Sequence, residues 1–188
     1  DKVDIGIGRF PVTRPAEAKI MVDKTITYMS NRNAGSWKNL VYFLGDDGDK
    51  NSHMRYANNV AENTISLYPD IAVHKIMWDA YTRVSSPNSN TFPEATKQIK
   101  KHMSEGALVM NYTGHAGTHA FSHENVLLRD DFEKNKCTQL PLWVTCACDV
   151  MPFDSNTENI GESAVLNPNG GALAFYGTAR TVFASQNY

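Results

Sequence analysis

The stretch NLVYFLGDDGD, residues 39–49, decides the fold class. It is continuously apolar over residues 40–44, as a strand buried on both faces of a parallel sheet should be, and an acidic turn follows directly. Five further short runs of β-type sequence lie along the chain, at 3–10, 71–77, 107–112, 140–146 and 171–176. Helical patterns separate most of these runs, so the sequence predicts an α/β fold with a mostly parallel sheet of about six strands.

The apolar residues between these runs recur at helical spacing. The first helix is predicted to follow Thr13 as its N-cap, and the third to end at Gly106. The predicted helices cover residues 13–29, 54–68, 93–105, 127–136 and 158–166.

Composition supports one globular domain over residues 1–188. The chain is 41% hydrophobic with a net charge of −2, so it can bury a core and has no basic excess that would favour nucleic acid. Its apolar runs are far shorter than the roughly 20 residues of a membrane-spanning helix. Because the chain begins with Asp1 and has no apolar leader, we expect an excised piece or a mature product.

Chemically active side chains follow three of the predicted strands. Asp46 and Asp47 follow the second strand, His115 follows the fourth, and Cys148 follows the fifth. Ligands of an open parallel sheet bind beyond the carboxyl ends of its strands, so we expect an acid, an imidazole and a thiol at one edge. A cysteine nucleophile needs a nearby imidazole to form its thiolate, and N–H donors to hold the oxyanion.

The three cysteines differ in their surroundings, and their odd number is not that of a disulfide framework. Cys146 lies inside an apolar run, where a thiol is ordinarily a small buried group. Cys148 lies beyond that run beside Asp149, where a purely structural thiol is less expected. Cys137 lies in a polar stretch and is expected to be incidental. Cys148 is therefore the preferred candidate nucleophile, and Cys146 is the alternative.

A histidine pattern leaves a zinc-dependent enzyme open as a third function. His115, His119 and His123 recur every four residues, which on a helix would align three imidazoles. However, Gly114 and residues 116–118 make a poor start for a helix, which weighs against this zinc site.

The acidic turn also has some likeness to a calcium-binding loop. Residues 47–51 match the start of such a loop, but its sixth and twelfth positions are Ser52 and Asn58 rather than Gly and Glu. We therefore expect no cofactor, with a structural calcium ion at this turn as the open alternative.

The order of motifs along the whole chain resembles the gingipain family of cysteine peptidases (family C25). The motifs are NYTGH at 111–115, an apolar run ending in cysteine, Phe153-Asp154, Gly161-Glu162 and GALAFYG at 171–177. This resemblance implies a caspase-like three-layer sandwich. The opening DIGIGRFP at 4–11 is similar to the strand that begins the family's catalytic subdomain. Family members are much longer, so residues 1–188 would be a single catalytic subdomain, a fragment of a longer peptidase.

The resemblance also implies a role for individual residues. His115 matches the family histidine, and Cys148 matches the nucleophile because a phenylalanine follows it by five residues and an acid by six. Asp46 matches the acid that orients the histidine, with Asp47 as its rival. The N–H groups of Cys148 and Ala116 are expected to form the oxyanion hole.

Ala116 departs from the glycine that the family has after its histidine. Its Cβ restricts φ and fills space, which puts the oxyanion geometry in question. Gly114 and Gly117 flank this position, and Gly117 is expected to be able to take over as donor.

Four segments, at residues 10–12, 46–49, 123–125 and 178–182, most resemble, within the family, the sortase of the type IX secretion system. The resemblance implies removal of a carboxy-terminal sorting signal from secreted cargo, and transfer of the acyl group to an amine on surface lipopolysaccharide. It implies a place on the extracellular face of the bacterial outer membrane and contact with other secretion-system components. The alternative is a catalytically inactive caspase-like module that binds peptides, which the departure at Ala116 favours.

Overall fold

The computed structural model describes residues 5–87 and 89–183, and over these residues α-helices separate most of the strands of the central sheet. The helices are α1 (Pro15–Met29), α2 (Gly48–Leu67), α3 (Pro93–Glu105), α4 (Arg129–Lys134) and α5 (Ile160–Leu166). The strands are β1 (Leu40–Gly45), β2 (Ala72–Met77), β3 (Val84–Ser85), β4 (Asn90–Thr91), β5 (Val109–Thr113), β6 (Ala120–Phe121), β7 (Leu127–Leu128), β8 (Leu142–Cys146) and β9 (Ala174–Tyr176).

Five strands form a parallel central sheet in the order β2-β1-β5-β8-β9. Successive residues of a strand point to opposite faces, and β1 shows this clearly. Leu44 packs into the main core with Ile99 of α3. Phe43 packs into a second cluster with Ala61 of α2. Helices therefore cover both faces of the sheet, and the expected three-layer α/β architecture is confirmed.

The predicted first strand is wrong for residues 5–10, and its residues 3 and 4 lie outside the described part of the chain. Ile5 and Ile7 are 70% and 86% exposed, and no strand in the described part of the chain pairs with this segment. Gly6 and Gly8 alternate with them and offer no side chain to pack, which weakens a strand. Over the described ranges 5–87 and 89–183, the central sheet accordingly has five strands rather than about six.

The five predicted helices are present, with shifts of one or two residues at most ends, but α2 begins at Gly48, six residues before its predicted start at residue 54. Helix α3 begins and ends as predicted, and Gly106 follows it with a φ of 87°. Helix α1 has Arg14 rather than Thr13 as its N-cap, because Pro15 takes the first helical position. Glu17 closes this end by accepting the N–H of Thr13 at 2.8 Å. Within the described residues, no helix is long and apolar enough to span a membrane.

Large aromatic side chains fill the core beneath the carboxyl ends of β5 and β8. Tyr112 and Phe121 stack with their ring centroids 4.4 Å apart. Phe132 and Trp143 meet edge to face at 5.1 Å beside them. Tyr112 and Phe121 stand at the two ends of the loop that carries His115, so their stacking fixes that loop on the sheet.

Candidate active site

A cavity of about 100 Å³ lies where β1, β5 and β8 end. Its wall includes His53, His115, Cys146, Cys148 and Val182. The structure thus places the expected histidine and the expected nucleophile in the wall of one cavity. Their positions follow from the parallel sheet, which brings the carboxyl ends of neighbouring strands to a common edge.

The loop after β5 presents His115 through a set of short backbone contacts. The N–H of Gly114 donates to the carbonyl of Cys146 at 3.2 Å, which joins the loops after β5 and β8. The hydroxyl of Tyr112 donates to the carbonyl of His115 at 2.6 Å. A Cβ at Gly114 would lie 2.3 Å from that hydroxyl oxygen and 2.6 Å from a carboxylate oxygen of Asp46. Only glycine fits at this position.

Asp46 lies at the centre of this arrangement and is 1% exposed. Its carboxylate accepts the N–H of His115 at 2.6 Å and the N–H of Gly48 at 3.0 Å, and it lies 3.2 Å from the hydroxyl of Tyr112, whose single proton is directed mainly to the carbonyl of His115. It also pairs with Nδ1 of His53. Burial acts to raise the pKa of Asp46, but the hydrogen bonds from His53, His115 and Gly48 outweigh it and lower that pKa.

The structure corrects the expected contact of Asp46 with the His115 imidazole. Asp46 holds the backbone of His115, whereas the imidazole that it binds is that of His53. The carboxylate beside the His115 ring is Asp49, 3.6 Å from Nε2. Asp47, the rival of Asp46, occupies the N-cap position of α2. The physical reason is the turn at residues 49–51 after β1. Asp46, before the turn, is buried beneath the backbone of His115, whereas Asp49, in the turn, lies beside the His115 ring.

His53 is a site residue that the sequence reasoning missed. It is buried, and its ring meets the His115 ring edge to face with centroids 4.8 Å apart. Its hydrogen bond to Asp46 is the main cause that raises the pKa of His53, against the effect of burial. Its spacing from Asp49 was no usable signal, because Asp49, Lys50 and Asn51 are not helical and the four-residue rule for helices does not apply to them.

A left-handed turn positions Asp49 between these two imidazoles. Asp49, Lys50 and Asn51 have φ values of 50°, 56° and 64°. Asp and Asn adopt this conformation more readily than other residues with a side chain, so the usual cost of about 1–2 kcal/mol applies mainly to Lys50, and strain of this kind concentrates at functional sites. The turn brings Asp49 Oδ2 to 3.5 Å from Nε2 of His53.

The two candidate thiols both face the cavity. Strand β8 ends at Cys146 as expected, but Cys146 is only half-buried and also lines the cavity, whereas we expected a buried group. Desolvation raises the pKa of Cys146, although hydrogen bonds with Thr113 and Asn111 oppose the rise. Cys148 lies two residues beyond the strand, and its sulfur receives the N–H of Val182 at 3.5 Å.

The segment after β9 packs along the loop that carries Cys148. The hydroxyl of Thr178 donates to the carbonyl of Ala147 at 2.5 Å, and that of Thr181 donates to Asp149 at 2.8 Å. Arg180 forms an ion pair with Asp154. These contacts on both sides of Cys148 hold its loop in place.

Two of the backbone N–H groups near His115, those of Gly114 and Gly117, already form hydrogen bonds inside the protein. The N–H of Gly117 donates to the carbonyl of Ala120 at 3.1 Å, and that of Gly114 is bonded to Cys146. Both groups are used inside the protein, so Gly117 is not a free replacement for the donor at Ala116. Ala116 itself forms a β-bridge with Phe121 and is half-buried, but it is not among the residues that line the cavity.

The three histidines at four-residue spacing do not share a helix. Residues 115–123 form a loop and the strand β6, because Gly114 and Gly117 favour turns over helix. His123 stacks on His115 with centroids 4.6 Å apart, and His119 is exposed in the turn. Among the described residues, the group that could hold a metal ion joins His115 to Asp49 and His53 instead. Calcium at the acidic turn stays a prediction.

The comparisons with known proteins agree with this architecture. The model of Peptidase family C25 matches residues 1–188. The crystal structure of the Arg-specific cysteine proteinase gingipain R is similar with a TM-score of 0.71 at 20% identity, covering 94% of this chain and 40% of that one. A complex of the pro- and mature domains of RgpB from Porphyromonas gingivalis gives 0.69 at 21% identity, covering 94% and 41%.

A third solved structure, described as a protease, gives a TM-score of 0.64 at 18% identity and covers 93% of this chain and 36% of that one. No curated protein sequence matches the chain. The chain spans about two fifths of the length of the first gingipain structure, 40%. These neighbours confirm the expected gingipain-like, caspase-like fold. Since the family model matches the whole chain, the chain belongs to peptidase family C25.

Proposed function

We propose that this chain is the catalytic region of a cysteine endopeptidase with transpeptidase activity, a sortase of the PorU type. The observation that carries the proposal is the common cavity of His115 and Cys148 at the carboxyl edge of the sheet. Membership of peptidase family C25 supports the choice of a peptidase over other cysteine chemistry. Because the chain spans only 40% of the first gingipain structure, the proposal concerns the full-length protein that contains it.

In the proposed reaction, His115 takes the thiol proton and the sulfur of Cys148 attacks the scissile carbonyl carbon. The carbon–sulfur bond forms, the carbon–nitrogen bond breaks, and His115 returns the proton to the leaving amine. An acceptor amine then attacks the thioester, its proton passes to His115, and the thiolate of Cys148 leaves. The N–H groups of Cys148 and Ala116 hold the oxyanion in both steps.

Asp46 serves this reaction as a positioning residue rather than as a direct partner of the His115 ring. It fixes the backbone of His115 at 2.6 Å and the ring of His53, against which the His115 ring packs. Asp49 and the stacked His123 orient the His115 ring from its other sides. The reaction therefore depends on a buried network rather than on a linear triad.

The sortase part of the proposal rests on sequence resemblance. The segments that support it are residues 10–12, the acidic turn at 46–49, residues 123–125 and residues 178–182. In this role the protein removes the carboxy-terminal signal of type IX cargo on the extracellular face of the outer membrane, with other secretion-system components as partners. The acceptor is an amine of surface lipopolysaccharide, and water in its place gives hydrolysis.

The alternative is a caspase-like module that binds peptides without cutting them. Two observations favour it: Ala116 replaces the family glycine, and the acid expected at the His115 ring is bonded to His53. The two functions differ in whether Cys148 is an activated thiol.

Alkylation of the full-length protein with iodoacetamide at about pH 6, followed by peptide mapping, separates them. A peptidase is expected to react selectively at Cys148, and His115→Ala should slow that reaction. If Cys148 reacts no faster than Cys137, the binding module is the correct function. Mass analysis of cargo with an added amine then distinguishes transfer from hydrolysis.

A further inference from the structure

Three metal-ligating groups surround one point at the mouth of the cavity. They are a carboxylate oxygen of Asp49 and one ring nitrogen each of His53 and His115, and all three atoms lie within 4.8 Å of one another. In a tetrahedral zinc site, bonds of about 2.0–2.1 Å place ligand atoms about 3.3 Å apart. Asp49 Oδ2 is already 3.5 Å from Nε2 of His53, and Asp49 Oδ1 is 3.6 Å from Nε2 of His115.

His53 is held in the orientation that a metal-binding histidine needs. Its Nδ1 faces the buried carboxylate of Asp46, so Nε2 is the nitrogen that points toward Asp49 and His115. Histidine ligands in metalloproteins ordinarily have a carboxylate or carbonyl on the nitrogen that does not bind the metal, which fixes the ring and makes it a better donor. Asp46 therefore gives the cluster a feature that a chance group of surface residues does not have.

The left-handed turn at residues 49–51 is the second feature that favours a ligand here. Three successive side-chain-bearing residues adopt positive φ, and the result is that the Asp49 carboxylate lies between two imidazoles. A cation bound by all three groups would offset the strain of this turn.

We propose that Asp49, His53 and His115 bind a divalent transition-metal ion of the Zn²⁺ class, with water in the fourth position. Two imidazole nitrogens favour zinc over calcium, because the protein ligands of calcium are almost exclusively oxygen atoms. This site is distinct from the calcium site expected on residues 47–51, although both would use Asp49.

The metal ion would be an inhibitor of the enzyme, and this consequence alone rests on the proposed function. His115 moves protons in the proposed reaction, and a metal ion bound to its ring nitrogen occupies the lone pair that accepts them. Zinc would thus switch the peptidase off reversibly, and a chelator would restore it. Binding of the metal is independent of whether the protein cuts peptides.

The test measures Zn²⁺ binding to the full-length protein by competition with a chromogenic chelator, and by the visible spectrum of bound Co²⁺. Asp49→Asn is the main variant, because Asp49 is exposed and its loss should not prevent folding. We expect this variant to bind Zn²⁺ at least about tenfold more weakly at one site. Asp47→Asn, in the same turn, is the matched control and should bind as the original protein does.

A second experiment tests whether the neighbouring thiols, rather than Asp49, bind the zinc ion. In Cys148→Ala, the tetrahedral Co²⁺ spectrum and the affinity for Zn²⁺ should persist. If Zn²⁺ binding is lost in Cys148→Ala but kept in Asp49→Asn, the site is a thiolate site and the proposal is wrong. Equal binding by the original protein, Asp49→Asn and His53→Gln also overturns it. A protein that binds Zn²⁺ through Asp49 yet shows no peptidase activity contradicts the proposed function and leaves the metal site standing.

Discussion

The backbone N–H of His115 donates to the carboxylate of Asp46 at 2.6 Å, while the ring of His115 lies beside Asp49. Asp46 therefore controls where the His115 loop lies, and His53 completes the link between the acid and the imidazole. The position of His115 therefore depends on the buried hydrogen bonds of Asp46 with His53 and with the His115 backbone. Each of these contacts can be tested separately.

Asp46→Asn should destabilise the protein strongly. The amide places a donor where the carboxylate accepts bonds from His53, His115 and Gly48, and breaking a buried ion pair costs about 3–5 kcal/mol. Chemical denaturation of the variant measures this loss. Asp47→Asn is the control and should change the unfolding free energy by no more than about 0.5 kcal/mol. A loss confined to Asp47→Asn would show that the wrong acid has been placed in the network.

The buried pair of Asp46 and His53 should make stability depend on pH in both directions. The pKa of His53 is raised from 6.5, so its contribution is complete below that value and is lost as pH rises through the higher folded value. The pKa of Asp46 is lowered from 3.8, so its contribution is complete above that value and is lost in stronger acid. Denaturation in the presence of a chelator should show stability falling as pH increases above about 6.5.

His53→Gln provides the control for this pH dependence. The variant should be less stable near neutrality, and its unfolding free energy should change little over the range in which the original protein loses stability. An identical slope in both proteins would assign the effect to other groups.

The glycines around His115 should respond very differently to alanine. In Gly114→Ala the new Cβ would lie 2.3 Å from the Tyr112 hydroxyl, so the loop must move, and we expect a loss of about 2 kcal/mol or more with slower alkylation of Cys148. Gly117→Ala is the matched control, since nothing lies within 4 Å of its added Cβ. Thermal denaturation and the alkylation rate compare the two. Equal effects would mean that the space at Gly114 does not position the loop.

Lys24 should support the fold far from the cavity. Its buried ammonium donates to the carbonyls of Val165, Asn167 and Gly170 at 2.9, 3.0 and 2.9 Å. Lys24→Met leaves these carbonyls without their donor and should cost about 2–4 kcal/mol. Lys19→Met, which removes an exposed ion pair with Asp23 on the same helix, should cost about 0.5 kcal/mol or less. Similar melting temperatures for both variants would contradict this role of Lys24.

The sequence predicted those elements whose pattern is local. The apolar run at 40–44 forms β1, and Pro93 and Gly106 mark the two ends of α3. The run at 5–10 was misjudged because alternating Ile and Gly match a strand by composition, whereas pairing depends on a neighbour that the sequence does not reveal.

The sequence predicted only those site residues that directly follow the strands of the central sheet. His115 and Cys148 follow neighbouring strands, so the parallel sheet alone brings them to one cavity. The contacts of Asp46 and Asp49 depend on a left-handed turn of three residues without glycine, which no local preference predicts. His53 belongs to the site because that turn redirects the helix that carries it.

The measurement that tests the central claim most directly is processing of a cargo precursor by full-length Cys148→Ala and Cys146→Ala. Cys148→Ala should abolish cleavage and formation of the acyl-enzyme while leaving the melting temperature nearly unchanged. Cys146→Ala should cost no more than about 1 kcal/mol of stability, because Cys146 is only half-buried, and it should still process cargo. If Cys148→Ala still processes cargo and Cys146→Ala does not, the nucleophile is Cys146 and the account has chosen the wrong sulfur. Full activity in both variants would show that the protein is not a cysteine peptidase.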